Sequence, residues 1–223
     1  MCVATFVQTN RQIPTARILG FNIRDAFTAS PKKCLFAFDY SQNEVRILAH
    51  CSEDKELISL FRGGGNIDIY KQMSSAITRK KAELVTEKER VVAKRVCLAI
   101  MYGMGLSQVS KTLGVNRTTA QNFFHSFYGR FRGVKLWMDR IKDFARENKF
   151  VKTISGRRRY LDDIDSTDNN KKSQAERQAI NTVIQGSAAD LIKLAMLKIS
   201  SHITDWNKIS LSDGSSGVAP KIL

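Results

Sequence analysis

The stretch Glu87-Lys-Glu-Arg90-Val-Val-Ala-Lys94-Arg-Val-Cys-Leu98-Ala-Ile-Met-Tyr102-Gly103-Met-Gly105 combines a long uninterrupted helical pattern with a row of chemistry. Residues four apart lie almost above one another on a helix, so Arg90, Lys94, Leu98 and Tyr102 form one slanting row. Two cations are followed by an apolar residue and an aromatic. Such a row suits an anion at one end and a flat ring at the other. It equally suits an amphipathic helix whose two cations are solvated above a buried Leu and Tyr. The glycine pair Gly103 and Gly105 predicts the stop. The rest of the chain has to decide between the two readings.

The chain has 223 residues and is 43% hydrophobic, enough for one generous domain or two small ones with a real core. Lys and Arg number 36 against 21 Asp and Glu, a formal net charge of +15. A polyanion is the expected partner, because a basic surface releases counterions when it neutralises phosphates. An anionic membrane surface is a weaker match, since no basic stretch has a one-sided Trp/Phe/Leu face and no run of 18 apolar residues exists. Cys2, Cys34, Cys51 and Cys97 show neither CxxC pairing nor histidines at metal spacing, which fits plain thiols in a reducing compartment. No secretory leader pattern opens the chain, so an intracellular protein is expected.

Upstream of the opening stretch, Cys34-Leu-Phe-Ala-Phe38 is a compact apolar run that predicts a buried strand ending on Asp39. Residues 22–27 predict a short ordered piece. After Asp39, Ser41 suits a helix N-cap, with Glu44 completing a capping box. Asp39 and Glu44 are thus either capping groups or, for Asp39, a ligand for a divalent cation such as Mg²⁺. The Gly63-Gly-Gly65 run is not a phosphate-cradling loop, because no Gly-Lys-Ser/Thr follows it.

Downstream, residues 106–122 have the outline of a helix-turn-helix, with Gly114-Val115 in the turn. Residues 123–147 predict one long amphipathic helix whose Phe124, Phe127, Phe131, Trp137 and Met138 belong to the core. Residues 150–154 alternate as a strand, and Gly156-Arg157-Arg158-Arg159-Tyr160 predicts an arginine-rich turn that contacts phosphates. Asp162, Asp163, Asp165 and Asp168 read as a solvated loop. In the helix that follows, Arg177, Asn181 and Gln185 form a second row at spacing four. Long amides beside an arginine suit the minor groove, where acceptors are similar for every base pair.

These pieces in this order, Asp39-Tyr40-Ser-Gln42-Asn-Glu44-Val-Arg46, then Arg90-x3-Lys94-x7-Tyr102-Gly103, then Gly156-Arg-Arg-Arg-Tyr160, then Ala175-Glu-Arg177-Gln-Ala-Ile-Asn181-x3-Gln185-Gly186-x2-Ala-Asp190, resemble the family A DNA polymerases. The resemblance covers residues 5 to 203, and its wording is nearest to the eukaryotic polymerases theta and nu. It implies an α+β, helix-rich, partial palm-and-fingers architecture with a small antiparallel palm sheet. Residues 1–50 would be palm with the first catalytic motif, 51–155 fingers, 156–206 palm with the primer-template helix, and 207–223 a disordered tail.

The same resemblance implies a nucleotidyltransferase that extends a primer 3′ end in DNA replication or repair, using a two-metal Mg²⁺ site, in the nucleus. Asp39 and the Tyr40 carbonyl would hold metal. Tyr40, Gln42, Glu44, Arg90, Lys94, Leu98 and Tyr102 would bind the incoming deoxynucleoside triphosphate, with Asp39, Arg90 and Lys94 catalytic. Gly103, Arg157, Arg158, Arg159, Arg177, Asn181 and Gln185 would contact primer-template DNA. The helix-turn-helix outline would then belong to the fingers.

This sequence departs from the family pattern in three places. Leu98 replaces the usual Phe or Tyr, which weakens base stacking by about 1–3 kcal/mol. Asn43 replaces an apolar residue. No His-Asp pair is present, the histidines being His50, His125 and His202, so the second metal-binding aspartate of the last motif is missing. The thumb and a proofreading exonuclease are not recognisable either. The module is therefore expected to be weak or inactive as a polymerase. A non-catalytic DNA-binding protein, either a degenerate polymerase or a helix-turn-helix reader, is the alternative.

Overall fold

Short polar side chains set where four of the helices begin. The structure is a computed structural model that describes residues 2–4, 28–29, 34–62, 68–113 and 116–212. The expected ordered piece at 22–27, the triple glycine, the Gly114-Val115 turn and the sequence beyond 212 lie outside the described residues. Strands β1 (Cys2–Ala4) and β2 (Cys34–Phe36) come first, and α1 (Asn43–Ser52) follows. Asp54 opens α2 (Lys55–Ser59), its carboxylate accepting the Leu57 N–H at 2.8 Å. Asp68 opens α3 (Ile69–Thr78) by accepting the Tyr70 and Lys71 N–H groups. Thr86 and Glu89 form a reciprocal capping box on α4 (Glu87–Met101), the opening stretch of the sequence. The left-handed residues Glu53 and Arg79 close α1 and α3, and Lys149 likewise closes the helix that ends at Asn148.

After α5 (Leu106–Leu113), the predicted long helix is in fact two, α6 (Arg117–Arg130) and α7 (Arg132–Asn148). The break has a polar cause. Asp54 is 6% exposed, and its Oδ2 accepts the Gly133 N–H at 2.7 Å, satisfying a donor at the start of α7. The two backbones approach so closely that a Cβ on Gly133 would lie 2.9–3.0 Å from Asp54 atoms. Phe131, at the break, is fully buried and packs on Phe127 with ring centroids 5.0 Å apart. Trp137 and Met138 are buried beside them, as their spacing implies.

Strands β3 (Phe150–Lys152) and β4 (Arg158–Tyr160) form an antiparallel pair, the small sheet expected, and β1 and β2 add a parallel pair with Cys2 opposite Cys34. Arg158 and Arg159 therefore sit in a strand rather than a turn, because Val151, Phe150 and Lys152 supply a partner strand for them. The acidic patch is a tight turn over Asp162–Asp165 with Ile164 buried. Its Asp165 pairs with Lys149, and Asp168 caps α8 (Asn169–Asn181). A π-helical turn over Thr182–Gly186 joins α8 to α9 (Ser187–Ser212). Helix α9 runs into the tail expected from 207, because no glycine or proline interrupts the sequence before Gly214.

The described residues divide into two compact units, one ending at Ser41 and resuming at Leu191, the other Gln42–Asp190. The second unit holds the main core, where Leu48, Leu57, Met73, Ile100, Met101, Phe127, Phe131 and Ile184 are essentially inaccessible to water. A satellite cluster of Ala99, Val109 and Ala120 joins α4, α5 and α6. Among the described residues no helix is long and apolar enough to cross a membrane.

Candidate functional site

Helix α4 presents its cations against the first turn of α3. Arg90 donates from Nε to Asp68 Oδ2 and from Nη1 to Glu87 Oε1, the latter at 2.9 Å. Burial works to raise the Asp68 carboxyl. The Arg90 hydrogen bond and the Lys71 and Tyr70 backbone donors override it and hold the group below its ordinary value. One turn on, Lys94 is exposed, with its ammonium 5.8 Å from the centre of the Tyr70 ring. Leu98 is half-buried and packs on the core, so the row runs from two cations at the surface to an apolar floor.

The far end of the row meets two other motifs. Tyr102 donates its hydroxyl to Glu44 Oε2 at 3.3 Å, and Gln185 donates from Nε2 to Glu44 Oε1 at 3.5 Å. Glu44 is thus a hub between α1, α4 and the π turn, and not half of a capping box. The residue at the α1 N-cap position is Gln42, held left-handed at φ 56, and its side chain makes no cap hydrogen bond. The reason is geometric: Gln42 turns the chain so that its carbonyl accepts the Val45 and Arg46 N–H groups, while Glu44 points inward to partners distant in sequence. Burial drives the Cys97 thiol up to about 12, and the Glu44 charge adds to the shift. Tyr70 is also raised, by burial first and by Cys97, Glu44 and Tyr102 next.

Gly103 shows why glycine ends α4. Its φ is +64, and a Cβ there would lie 3.0 Å from Arg177 Cγ and 3.2 Å from its Cα. The end of the first row therefore touches the start of the second. Arg177 donates to Ser173 Oγ at 2.8 Å, and Asn181 has a buried Oδ1 with no partner among the described residues. The π turn widens the helix by one residue at Gln185, and such turns gather at functional sites.

The three arginines of the hairpin separate by role. Arg157 donates to Asp190 Oδ1 from Nε at 3.0 Å and to the Gly186 carbonyl at 3.2 Å, so it pins the hairpin to the π turn. Asp190 also accepts from Ser155, and although burial opposes it, these donors hold its carboxyl below the ordinary value. Arg159 reaches Thr182 Oγ1 at 3.4 Å. Arg158 is exposed and lies opposite Lys152, with both cations near the Phe150 ring. Like charges directly opposite on a strand pair repel, an arrangement that an anionic partner relieves.

Asp39 and Tyr40 belong to the other unit, where both are exposed. Among the described residues no group of three or more His, Cys, Asp or Glu side chains is arranged to hold a metal. Asp39 offers one carboxylate, and Glu44 is engaged with Tyr102 and Gln185. A single carboxylate does not fit a two-metal centre.

Residues 9–212 match DNA polymerase family A. The chain belongs to the family A DNA polymerases. It is 42% identical over 201 residues to DNA polymerase I of Geobacillus stearothermophilus, covering 89% of this chain and 23% of that protein. It is 38% identical over 184 residues to DNA polymerase theta of Drosophila melanogaster, covering 82% of this chain and 9% of that protein. The polymerase domain of Pol1 from M. smegmatis, solved with DNA primer-template and dNTP, superposes with a TM-score of 0.71 at 34% identity, covering 76% of this chain and 30% of that chain. The chain thus spans less than a quarter of the length of these two curated relatives.

Within this family A chain, Glu44 bonds to Tyr102 and Gln185, Gly103 packs against Arg177, and Arg90 and Lys94 lie along one face of α4. The partners of those cations were not singled out from sequence. Asp68 carries a readable signal, an aspartate just before a helical run, but its pairing with Arg90 is tertiary. Lys152 gave no motif signal, and Asp190, the last residue of the fourth motif, carried no role of its own in the sequence.

Proposed function

We propose that this chain is the nucleotide-gripping and primer-template-holding part of a DNA-directed DNA polymerase, acting in replication or repair. The observation that carries the reading is the convergence on Glu44. Tyr102 from the first row and Gln185 from the second both bond to it, so three motifs far apart in sequence share one carboxylate. In this reading Arg90 and Lys94 hold the triphosphate and neutralise charge on the departing pyrophosphate. Leu98 lies against the incoming base, Glu44 under its sugar, and Tyr102 and Gly103 border the templating base. Arg177, Asn181 and Gln185 track the minor groove, while Arg158 and Lys152 meet backbone phosphate. The residues position a primer 3′-hydroxyl near the α-phosphate, which is where most of their contribution lies.

Family A polymerases generally use Mg²⁺, and in this reading Asp39 with the Tyr40 carbonyl would be the ligands. One carboxylate makes for a poor centre. Primer extension by the 223-residue chain with Mg²⁺ is therefore expected to give no product above an Asp39→Ala control, and robust Asp39-dependent extension would overturn that expectation. Binding is the sharper test of the function itself. In competition, a primer-template junction of any sequence should displace labelled junction DNA better than blunt duplex does. Preference for one duplex sequence would instead favour a helix-turn-helix reader.

A further inference from the structure

Arg90 is held by two carboxylates that differ in every physical respect. Asp68 is fixed: Oδ1 accepts the Tyr70 N–H at 3.0 Å and the Lys71 N–H at 3.2 Å, while Oδ2 takes Arg90 Nε. Its side chain is 31% exposed and belongs to a different helix from the arginine. Glu87 is loose: it is 69% exposed, sits one turn before Arg90 on the same helix, and touches only Nη1, at 2.9 Å. Arg90 Nη2 makes no hydrogen bond among the described residues.

A carboxylate on Nε grips a guanidinium by its neck and leaves the outer edge, Nη1 and Nη2, facing away. That edge is one of the two that bind phosphate oxygens in a bidentate fashion, the other being the side that includes Nε. We infer that Asp68 is a positioning residue that aims Arg90 at the nucleotide triphosphate, and that Glu87 is the carboxylate the triphosphate displaces. The inference rests on the reading of Arg90 as a phosphate ligand and adds the residues that orient and cover it. The same first turn of α3 serves both cations, since Tyr70, two residues after Asp68, backs Lys94.

Two substitutions of opposite sign test this on the full 223-residue chain. Asp68→Asn keeps a cap oxygen for the α3 N–H groups but removes the ionised acceptor for Arg90, so folding should persist. Glu87→Gln leaves the Thr86–Glu89 capping box intact. Binding of dTTP with MgCl₂, of tripolyphosphate, and of thymidine is measured by calorimetry for each chain, with thermal melting as a check on folding. Asp68→Asn should weaken dTTP and tripolyphosphate binding about three- to ten-fold, because a rotamer-rich arginine must then be ordered by the ligand. Thymidine binding should not change. Glu87→Gln should tighten both phosphate ligands about two-fold, because a competing charge is gone. Unchanged or tighter binding by Asp68→Asn, or weaker binding by Glu87→Gln, overturns the inference. If Arg90→Ala weakens dTTP and Asp68→Asn does not, only this inference falls. If Arg90→Ala binds dTTP as well as wild type, the reading of Arg90 as a phosphate ligand falls with it.

Discussion

Asn43 places an amide at the start of α1, and its Nδ2 is buried with no hydrogen-bond partner among the described residues. An unsatisfied buried donor costs about 1–3 kcal/mol, whereas an apolar side chain of similar size gains from the same burial. Asn43→Ile should therefore raise the chemical-denaturation midpoint by an amount worth about 1 kcal/mol or more. A lowered midpoint would show that the amide has a partner in solution. Glu89 makes a second prediction at this scale. The Lys80 ammonium, then the Thr86 backbone and hydroxyl, hold its carboxyl down at about 2, against an ordinary 4.5. Its contribution to the start of α4 is therefore fully present above pH 4.5 and is lost only as the pH falls through about 2. In an NMR titration its carboxyl should still be ionised at pH 3.5, and a midpoint near 4.5 would mean that the cap and ion pair do not form.

Among elements, the joint between α6 and α7 depends most on a single side chain. Asp54 caps α2 and takes the Gly133 donor of α7 with the same buried carboxylate. Asp54→Ala loses a cap and strands an amide, so it should destabilise the fold by about 2–4 kcal/mol in urea, while Asp54→Asn should retain part of that. Near-equal stability of Asp54→Ala and wild type would contradict this account. This joint also shows the limit of reading elements from sequence. The periodicity of residues 123–147 correctly placed Phe127, Phe131 and Trp137 in the core, because helical spacing alone decides which face is apolar. It missed the break, because the cause is a carboxylate 79 residues away along the chain. Arg157 illustrates the same limit: three consecutive arginines announce anion binding, but only the fold shows that Asp190 takes the first of them. The helix carrying the α4 row was legible because its spacing and its glycine stop are local, whereas its Thr86–Glu89 cap, local too, went unread.

For the whole molecule, the formal net charge of +15 sets the expected behaviour towards a polyanion, and the Gln42–Asp190 unit concentrates the relevant cations. Lys152 and Arg158 lie on the outer face of the hairpin, Arg177 lies against Gly103, and Arg90 and Lys94 follow along α4. Charge from sequence predicted a polyanion, and the motifs predicted which one. What remained hidden was the hub at Glu44, since its hydrogen bonds join residues 58 and 141 positions apart. We propose that this surface holds primer-template DNA through its cations. The most direct measurement is the equilibrium binding constant for a primer-template junction as a function of salt, for the wild-type chain and for Arg158→Ala/Arg177→Ala. Wild type should weaken steeply, with a slope of about −0.9 in log K per log salt for each phosphate neutralised, and the double variant's slope should be shallower by about two. Salt-insensitive binding by the wild type, or an unchanged slope in the double variant, would contradict the account.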